Sequence, residues 1–247
     1  MVSTTIITVL VVYLIILLAI GMWGGRESGS VAGYYVAGKK LPSWVIAFSS
    51  NTTGESGWLL LGLTGMGYLV GIHALWIVMG EVLGVTLGWV LVASRFKEYT
   101  DRYDCITVPD YLESRFQDSR HLIRLVSVVI ILSMVTVYTA AQLTASGKAF
   151  SSFLDTSYTT GVLIGAAVIL YYTTIGGFKA VAYSDLLQGV LMLLGLIVLP
   201  IVGIINAGGW SSLMAQLQAT DPNLLEPMGE FGVSVPGVLS ALGFIGI

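Results

Sequence analysis

The 247-residue chain predicts an all-α polytopic membrane protein, and three observations carry that reading. Hydrophobic residues make up 55% of it and charged ones only 10%, against about 25% charged in an ordinary soluble domain. Mean hydropathy is +0.87. The apolar residues also gather into runs long enough to cross a bilayer, for which a helix needs about 20 residues. The net charge of −3, with no basic patch outside the loops between runs, gives no support to a nucleic-acid partner. Cys105 is the only cysteine, which excludes a disulfide within the chain and any multi-cysteine metal cluster.

Seven hydrophobic segments follow in order: 4–23, 42–71, 74–95, 121–150, 157–178, 185–207 and 235–247. The first has neither a basic leading region nor a small-x-small cleavage site, so it is read as a span and not as a removable signal peptide. The last stops at Ile247, short of a crossing, and the expectation is a chain truncated inside its seventh helix. Gly80, Gly84 and Gly88 in the third segment, and Gly161 and Gly165 in the fifth, recur at helical spacing. Small residues four apart let membrane helices approach closely, so both sets are expected to be packing faces. Pro200 should kink or break the sixth segment. Val108–Phe116 reads as a short amphipathic helix with Pro109 and Asp110 in its first turn.

Loop charges orient the chain. Arg26, Lys39 and Lys40 follow the first segment; Arg95, Lys97, Arg102, Arg115, Arg120 and Arg124 lie between or beside the third and fourth; Lys179 follows the fifth. The opposite loops carry only Lys148, together with Asp221, Glu226 and Glu230. The positive-inside rule then places the N-terminus outside and the 96–120 loop in the cytoplasm.

The second segment holds a polar knot at its centre, Ser49-Ser50-Asn51-Thr52-Thr53-Gly54-Glu55-Ser56-Gly57. Short hydroxyl and amide side chains favour local turns over helical bonds, so the span is expected to be broken near 50–57. A carboxylate at mid-span costs about 2.5–3.5 kcal/mol on insertion scales and is usually functional. Broken backbone at that depth is tolerated only beside protein or a watered cavity, as in the ion and substrate sites of secondary transporters. A short polar turn between two half-length segments is the plain alternative.

Two further acids belong to segments. Glu81, near the outer interface, is expected to be a satisfied structural acid. Asp185 follows Ser184 at the start of the sixth segment, where a helix cap and a functional role both remain open. Tyr138 and Gln142, one turn apart in the fourth segment, line a pathway or bond between helices. His73 and His121 have no metal-ligand spacing, and no nucleophile elbow, phosphate loop, zinc motif or paired catalytic acids occur, so an enzyme is not expected.

Several strings together resemble the solute:sodium symporter family: Tyr35-Val36-Ala37-Gly38-Lys39, Ser56-Gly57-Trp58-Leu59-Leu60, Val108-Pro109-Asp110-Tyr111 with Arg115-Phe116, and Tyr172-Thr173-Thr174-Ile175-Gly176-Gly177-Phe178. Ala180-Val181 and Ser184-Asp185 with Gln188 complete the set, which runs from about residue 30 to the end. The resemblance implies a LeuT-type fold of inverted five-helix repeats. On that scheme residues 1–247 are a fragment of one transporter domain: the extra first helix, the first repeat and the start of the seventh helix, without the C-terminal half. It further implies Na⁺-coupled symport of a small amino acid, proline foremost, across the bacterial inner membrane, with the lipid bilayer, Na⁺ and the solute as partners. A symporter-like sensor module of a histidine kinase, or Na⁺ symport of another amino acid, a vitamin or a sugar, are the alternatives.

The resemblance also assigns residues. Backbone carbonyls of Thr52 and Glu55 match Na⁺ ligands, and the Ser56 hydroxyl matches a position near both ion and substrate. Asp185 matches an aspartate on the inward sodium route. Tyr138 matches a tyrosine linked to substrate binding, and Phe244 falls where proline-carrying members have a tryptophan; Trp58 and Gln142, candidates from their own positions in the sequence, complete the substrate-binding set with Ser56. Lys39 matches a basic residue tied to coupling. Gly54 stands where those members have an aspartate, so that the carboxylate of Glu55 comes one residue later.

Overall fold

A computed structural model describes residues 4–26 and 29–246. Among these, regular structure is helical throughout, with eleven α-helices: α1 (Thr4–Gly25), α2 (Val31–Val36), α3 (Ser43–Gly54), α4 (Thr64–Val70), α5 (Leu75–Leu87), α6 (Ser94–Arg102), α7 (Val108–Phe116), α8 (Leu122–Leu154), α9 (Tyr158–Asn206), α10 (Trp210–Thr220) and α11 (Val235–Ile245). Wider π-helical turns at Trp58–Leu63 and Gly88–Ala93 adjoin α4 and α6. Four continuous helical stretches are long and apolar enough to cross a membrane: Thr4–Gly25, Leu61–Arg102, Leu122–Leu154 and Tyr158–Asn206. The chain is therefore a polytopic membrane protein.

Two of these stretches contain a glycine in backbone space closed to other residues. Gly71 (φ 61°, ψ −137°) separates α4 from the turn that leads into α5. Gly177 (φ 58°, ψ −161°) divides α9 into two legs and is the one non-helical residue inside it. Pro200 keeps helical dihedrals, so the break expected there is absent: the chain turns at Gly177 instead.

The chain divides into two compact units. The first comprises residues up to Gly57 together with Tyr103–Met192. There α1 lies against α9 with almost no space between backbones: a Cβ on Gly21 would come 2.8 Å from Tyr172 Cβ, and one on Gly24 equally close to Ala180. The Tyr34 hydroxyl donates to the carbonyls of Thr173 (3.3 Å) and Thr174 (3.1 Å), just ahead of the Gly177 turn. Lys179 stands 4.3 Å over the Trp23 ring. Gly161 meets Phe150 and Gly165 meets Ser146, which makes that glycine pair a packing face between α8 and α9. Helix α7 carries a reciprocal capping box of Thr107 and Asp110, with Pro109 in its first turn. Arg124 at the base of α8 holds it by ion pairs to Asp110 (2.9 Å) and Glu113 (3.1 Å), and His121 also contacts Glu113.

The second unit comprises Trp58–Arg102 and Leu193 onward. Helices α5 and α11 pack where Gly80 meets the backbone of Ile245, and Gly71 meets the backbone of Leu224. The segments 71–74 and 222–231 thus share one side. Gly84 and Gly88 meet nothing within 4 Å, so the packing face expected of this glycine series is confined to Gly80. Glu81 is exposed on α5, with no hydrogen bond or ion pair to protein among the described residues.

A residue with a side chain at Gly177 must adopt a glycine-only conformation beside the Tyr34 carbonyl, a strain of about 1–3 kcal/mol. Gly177→Ala is expected to lower the thermal midpoint of the detergent-solubilised protein, whereas Gly195→Ala, at a helical position with open space around it, leaves it unchanged or raised. Equal midpoints for the two variants would refute the strain argument.

Candidate functional site

Helix α3 ends inside the polar segment. Glu55 is extended (φ −70°, ψ 116°), and its N–H donates to the carbonyls of Asn51 (3.3 Å) and Thr52 (3.1 Å), closing the last turn. Residues 55–56 are non-helical, and helical turns resume at Gly57. The run from Ser49 to Gly54 accounts for the stop, since its short side chains compete for backbone bonds; Thr53 Oγ1, for example, donates to the Ser49 carbonyl at 2.7 Å.

In an unbroken helix the Gly57 N–H would bond to the Thr53 carbonyl. Here it donates to Gln142 Oε1 on α8 at 2.9 Å. A side chain of α8 therefore replaces a carbonyl of the helix, and Thr53 loses its i+4 partner. Glycine is required at this restart, because a Cβ at 57 would overlap the Ala145 methyl.

Val45, Ser49 and Thr52 form the buried face of α3, at spacings of four and three. That face meets the second leg of α9. Ser49 Oγ donates to Asp185 Oδ2 at 2.7 Å, and Thr52 Oγ1 donates to the Asp185 carbonyl at 3.2 Å. A Cβ at Gly189 would lie 2.6 Å from Thr52 Oγ1, so the glycine makes room for the threonine. Asp185 is 9% exposed. It caps nothing: α9 departs from helical geometry only at Gly177, about two turns earlier, and runs straight through residue 185. Close by, Ser184 is fully buried with its hydroxyl on the Val181 carbonyl (2.8 Å).

Thr52, Glu55 and Asp185 are thus linked by direct hydrogen bonds, and Gly57 and Gln142 by another. Ser56 lies half-buried in the break, and a Cβ at Gly54 would face open space. Tyr138 is exposed on α8 one turn before Gln142. Lys39 ends three successive residues with positive φ, Ala37 (49°), Gly38 (62°) and Lys39 (57°), between α2 and α3. Trp58 and Phe244 belong to the second unit. The Trp58 ring folds over Gly62, and the Phe244 ring centroid lies 4.5 Å from that of His73. The sequence reading missed Ser49 as the partner of Asp185; for Gln142 it offered a bond between helices, which the structure shows, but not the partner, the Gly57 amide of a restarting helix. The 45–49–52 spacing marked Ser49; nothing in the sequence paired Gln142 with Gly57.

Gln142→Ala leaves the Gly57 amide without its acceptor, at a cost of about 1–3 kcal/mol, whereas Gln142→Glu retains an oxygen in place. Hydrogen–deuterium exchange of the 55–60 peptide should quicken in the alanine variant and stay near wild type in the glutamate one. Equal exchange in all three proteins would rule out the bond as the anchor of the break.

Residues 34–246 match the sequence profile of the sodium:solute symporter family. Sodium/proline symporters of Staphylococcus aureus, from strains JH9, USA300 and Mu3 among others, are 33% identical over 243 residues, which is 95% of this chain. The same alignments cover 46% of those relatives, so the chain spans about half their length. An all-helical membrane chain whose residues 34–246 fit this profile, with relatives of that kind along nearly its whole length, belongs to the sodium:solute symporter family.

Proposed function

We propose that the chain forms the N-terminal part of a Na⁺-coupled symporter that carries a small amino acid, proline foremost, into the cytoplasm by alternating access. The observation that carries this reading is the interruption of α3 at 55–56 with the buried Asp185 bonded to the helix just before it. The C-terminal end of a helix presents carbonyl oxygens and the negative pole of its dipole, and hard cations take oxygen ligands. Broken helices serve this purpose in secondary transporters.

In this reading Na⁺, as cargo, meets the carbonyls of Thr52 and Glu55 and the hydroxyl of Ser56. The Thr52 carbonyl already accepts the Glu55 N–H, which leaves its second lone pair for the ion. Asp185 receives the ion next: Ser49 holds one carboxylate oxygen, and the Thr52 hydroxyl fixes the Asp185 backbone. Tyr138 faces the solute, as does Gln142 through its NH₂ group, the oxygen being committed to Gly57. Trp58 and Phe244 in the second unit are the other solute-side residues, and Lys39 and Gly54 act in coupling. The Glu55 side chain leaves from extended backbone, so the shift of about 100° per residue that a helix would impose does not apply. That supports its reaching the ion although Gly54 occupies the aspartate position of the proline symporters.

The remainder of the proposal is architectural. A LeuT-type arrangement, with the second repeat supplied by the length that the relatives have beyond this match, accounts for the 46% coverage. The loop charges support an inner-membrane protein with its N-terminus outside and 96–120 in the cytoplasm.

Uptake of labelled proline by the polypeptide carrying both halves should fall at least about tenfold when choline replaces Na⁺ at clamped membrane potential. Unchanged uptake in choline would end the coupling proposal. Asp185→Asn keeps an acceptor for Ser49 but removes the charge, and should raise the Na⁺ concentration for half-maximal uptake about tenfold or more. An unaltered Na⁺ dependence would take Asp185 off the ion's route.

A further inference from the structure

His73 is 4% exposed and lines a cavity of about 340 Å³ in the second unit. Both ring nitrogens are engaged: Nδ1 lies 2.8 Å from the Pro227 carbonyl and Nε2 lies 3.1 Å from Ser240 Oγ. A carbonyl only accepts, so Nδ1 carries the proton; in the neutral ring Nε2 then accepts from the Ser240 hydroxyl. Trp76 Nε1 donates to the same Pro227 carbonyl at 2.7 Å, which fills both of its lone pairs. One ring from the turn into α5 and one from its first turn therefore fasten the 222–231 segment through one oxygen.

The third contact is with α11. Ser240 and Phe244 are four residues apart and so share one face of that helix. Both address the same imidazole, Ser240 through its hydroxyl and Phe244 through a ring contact at 4.5 Å and 59°. Two contacts one turn apart on one ring set the rotation of α11 about its axis.

We propose that His73 is a positioning residue for transport, which holds the Phe244 ring in the orientation that receives the solute and never touches the solute itself. This rests on the reading of Phe244 as a solute-side residue. The chemistry it serves is that of a small amino acid with an apolar body, for which a correctly turned phenyl ring is the recognising surface. Loss of His73 removes the wall behind that ring and the tie on Ser240 together, while the Trp76–Pro227 bond keeps the outer segment attached.

The test is uptake kinetics of the polypeptide carrying both halves, per inserted molecule, in proteoliposomes with Na⁺ outside. His73→Ala should raise the solute KM about tenfold with kcat within about twofold of wild type. Ser240→Ala, a milder cut that serves if the first variant fails to insert, should raise KM about threefold. In the Phe244→Ala background either change should alter KM by less than about twofold, because the ring they position is gone. A loss of kcat at constant KM, or effects that multiply fully in the double variants, would overturn the proposal in favour of a merely structural clasp. If Phe244→Ala alone leaves KM unchanged, the solute-side reading of Phe244 fails and takes this proposal with it. If it raises KM but neither His73→Ala nor Ser240→Ala does, only the positioning role fails.

Discussion

A backbone amide released from a helix within a membrane segment has to be given an acceptor, since lipid offers none and each orphan costs several kcal/mol. The bond from the Gly57 N–H to Gln142 Oε1 meets that demand, and the candidate ion site depends on it. With the Gly57 amide held by α8 and the Glu55 amide turned back onto Asn51 and Thr52, α3 stops at Gly54. The same bond forces close approach, which is why Gly57 faces the Ala145 methyl and no larger side chain fits. A second anchor works from the other side: Ser49 and Thr52 tie the last turns of α3 to Asp185 on α9. The break is thus held at both of its edges by side chains from different helices, as a built feature must be.

How much of this was legible beforehand follows from the range of each interaction. The all-helical membrane class came from composition and run length, which are properties of the whole chain. The stop within 49–57 and the start of α7 came from polar and capping residues acting on their own backbone within a few positions. The Ser49–Asp185 bond joins residues 136 apart, and no local pattern encodes it. Local reasoning offered Asp185 a cap because it expected a new helix near 185, whereas the chain turns at Gly177 and is already two turns into the second leg by then. At Pro200 the sequence allowed either a kink or a break, and the break is absent because the residues around it keep helical dihedrals. Gly84 and Gly88 carry the spacing of a packing face without a partner among the described residues. Periodicity marks a surface and not what covers it.

On the proposed reading, a charge on Asp185 gives the candidate ion site its thermodynamic sense. Burying an ionised carboxylate costs several kcal/mol unless a counter-charge and hydrogen bonds offset it. The Ser49 hydroxyl supplies one bond, but no ion pair to Asp185 occurs among the described residues. On the proposed reading the missing positive charge is the transported ion itself. Sodium arriving beside Asp185 would then strengthen the same α3–α9 contact that Ser49 and Thr52 make, and its departure would weaken it. By linkage, whatever loosens that contact must expel the ion to the same degree. On that reading, coupling between ion and conformation would need no distant relay: the carboxylate proposed to accept the ion also anchors, through Ser49 and its own backbone, the helix whose end forms the break.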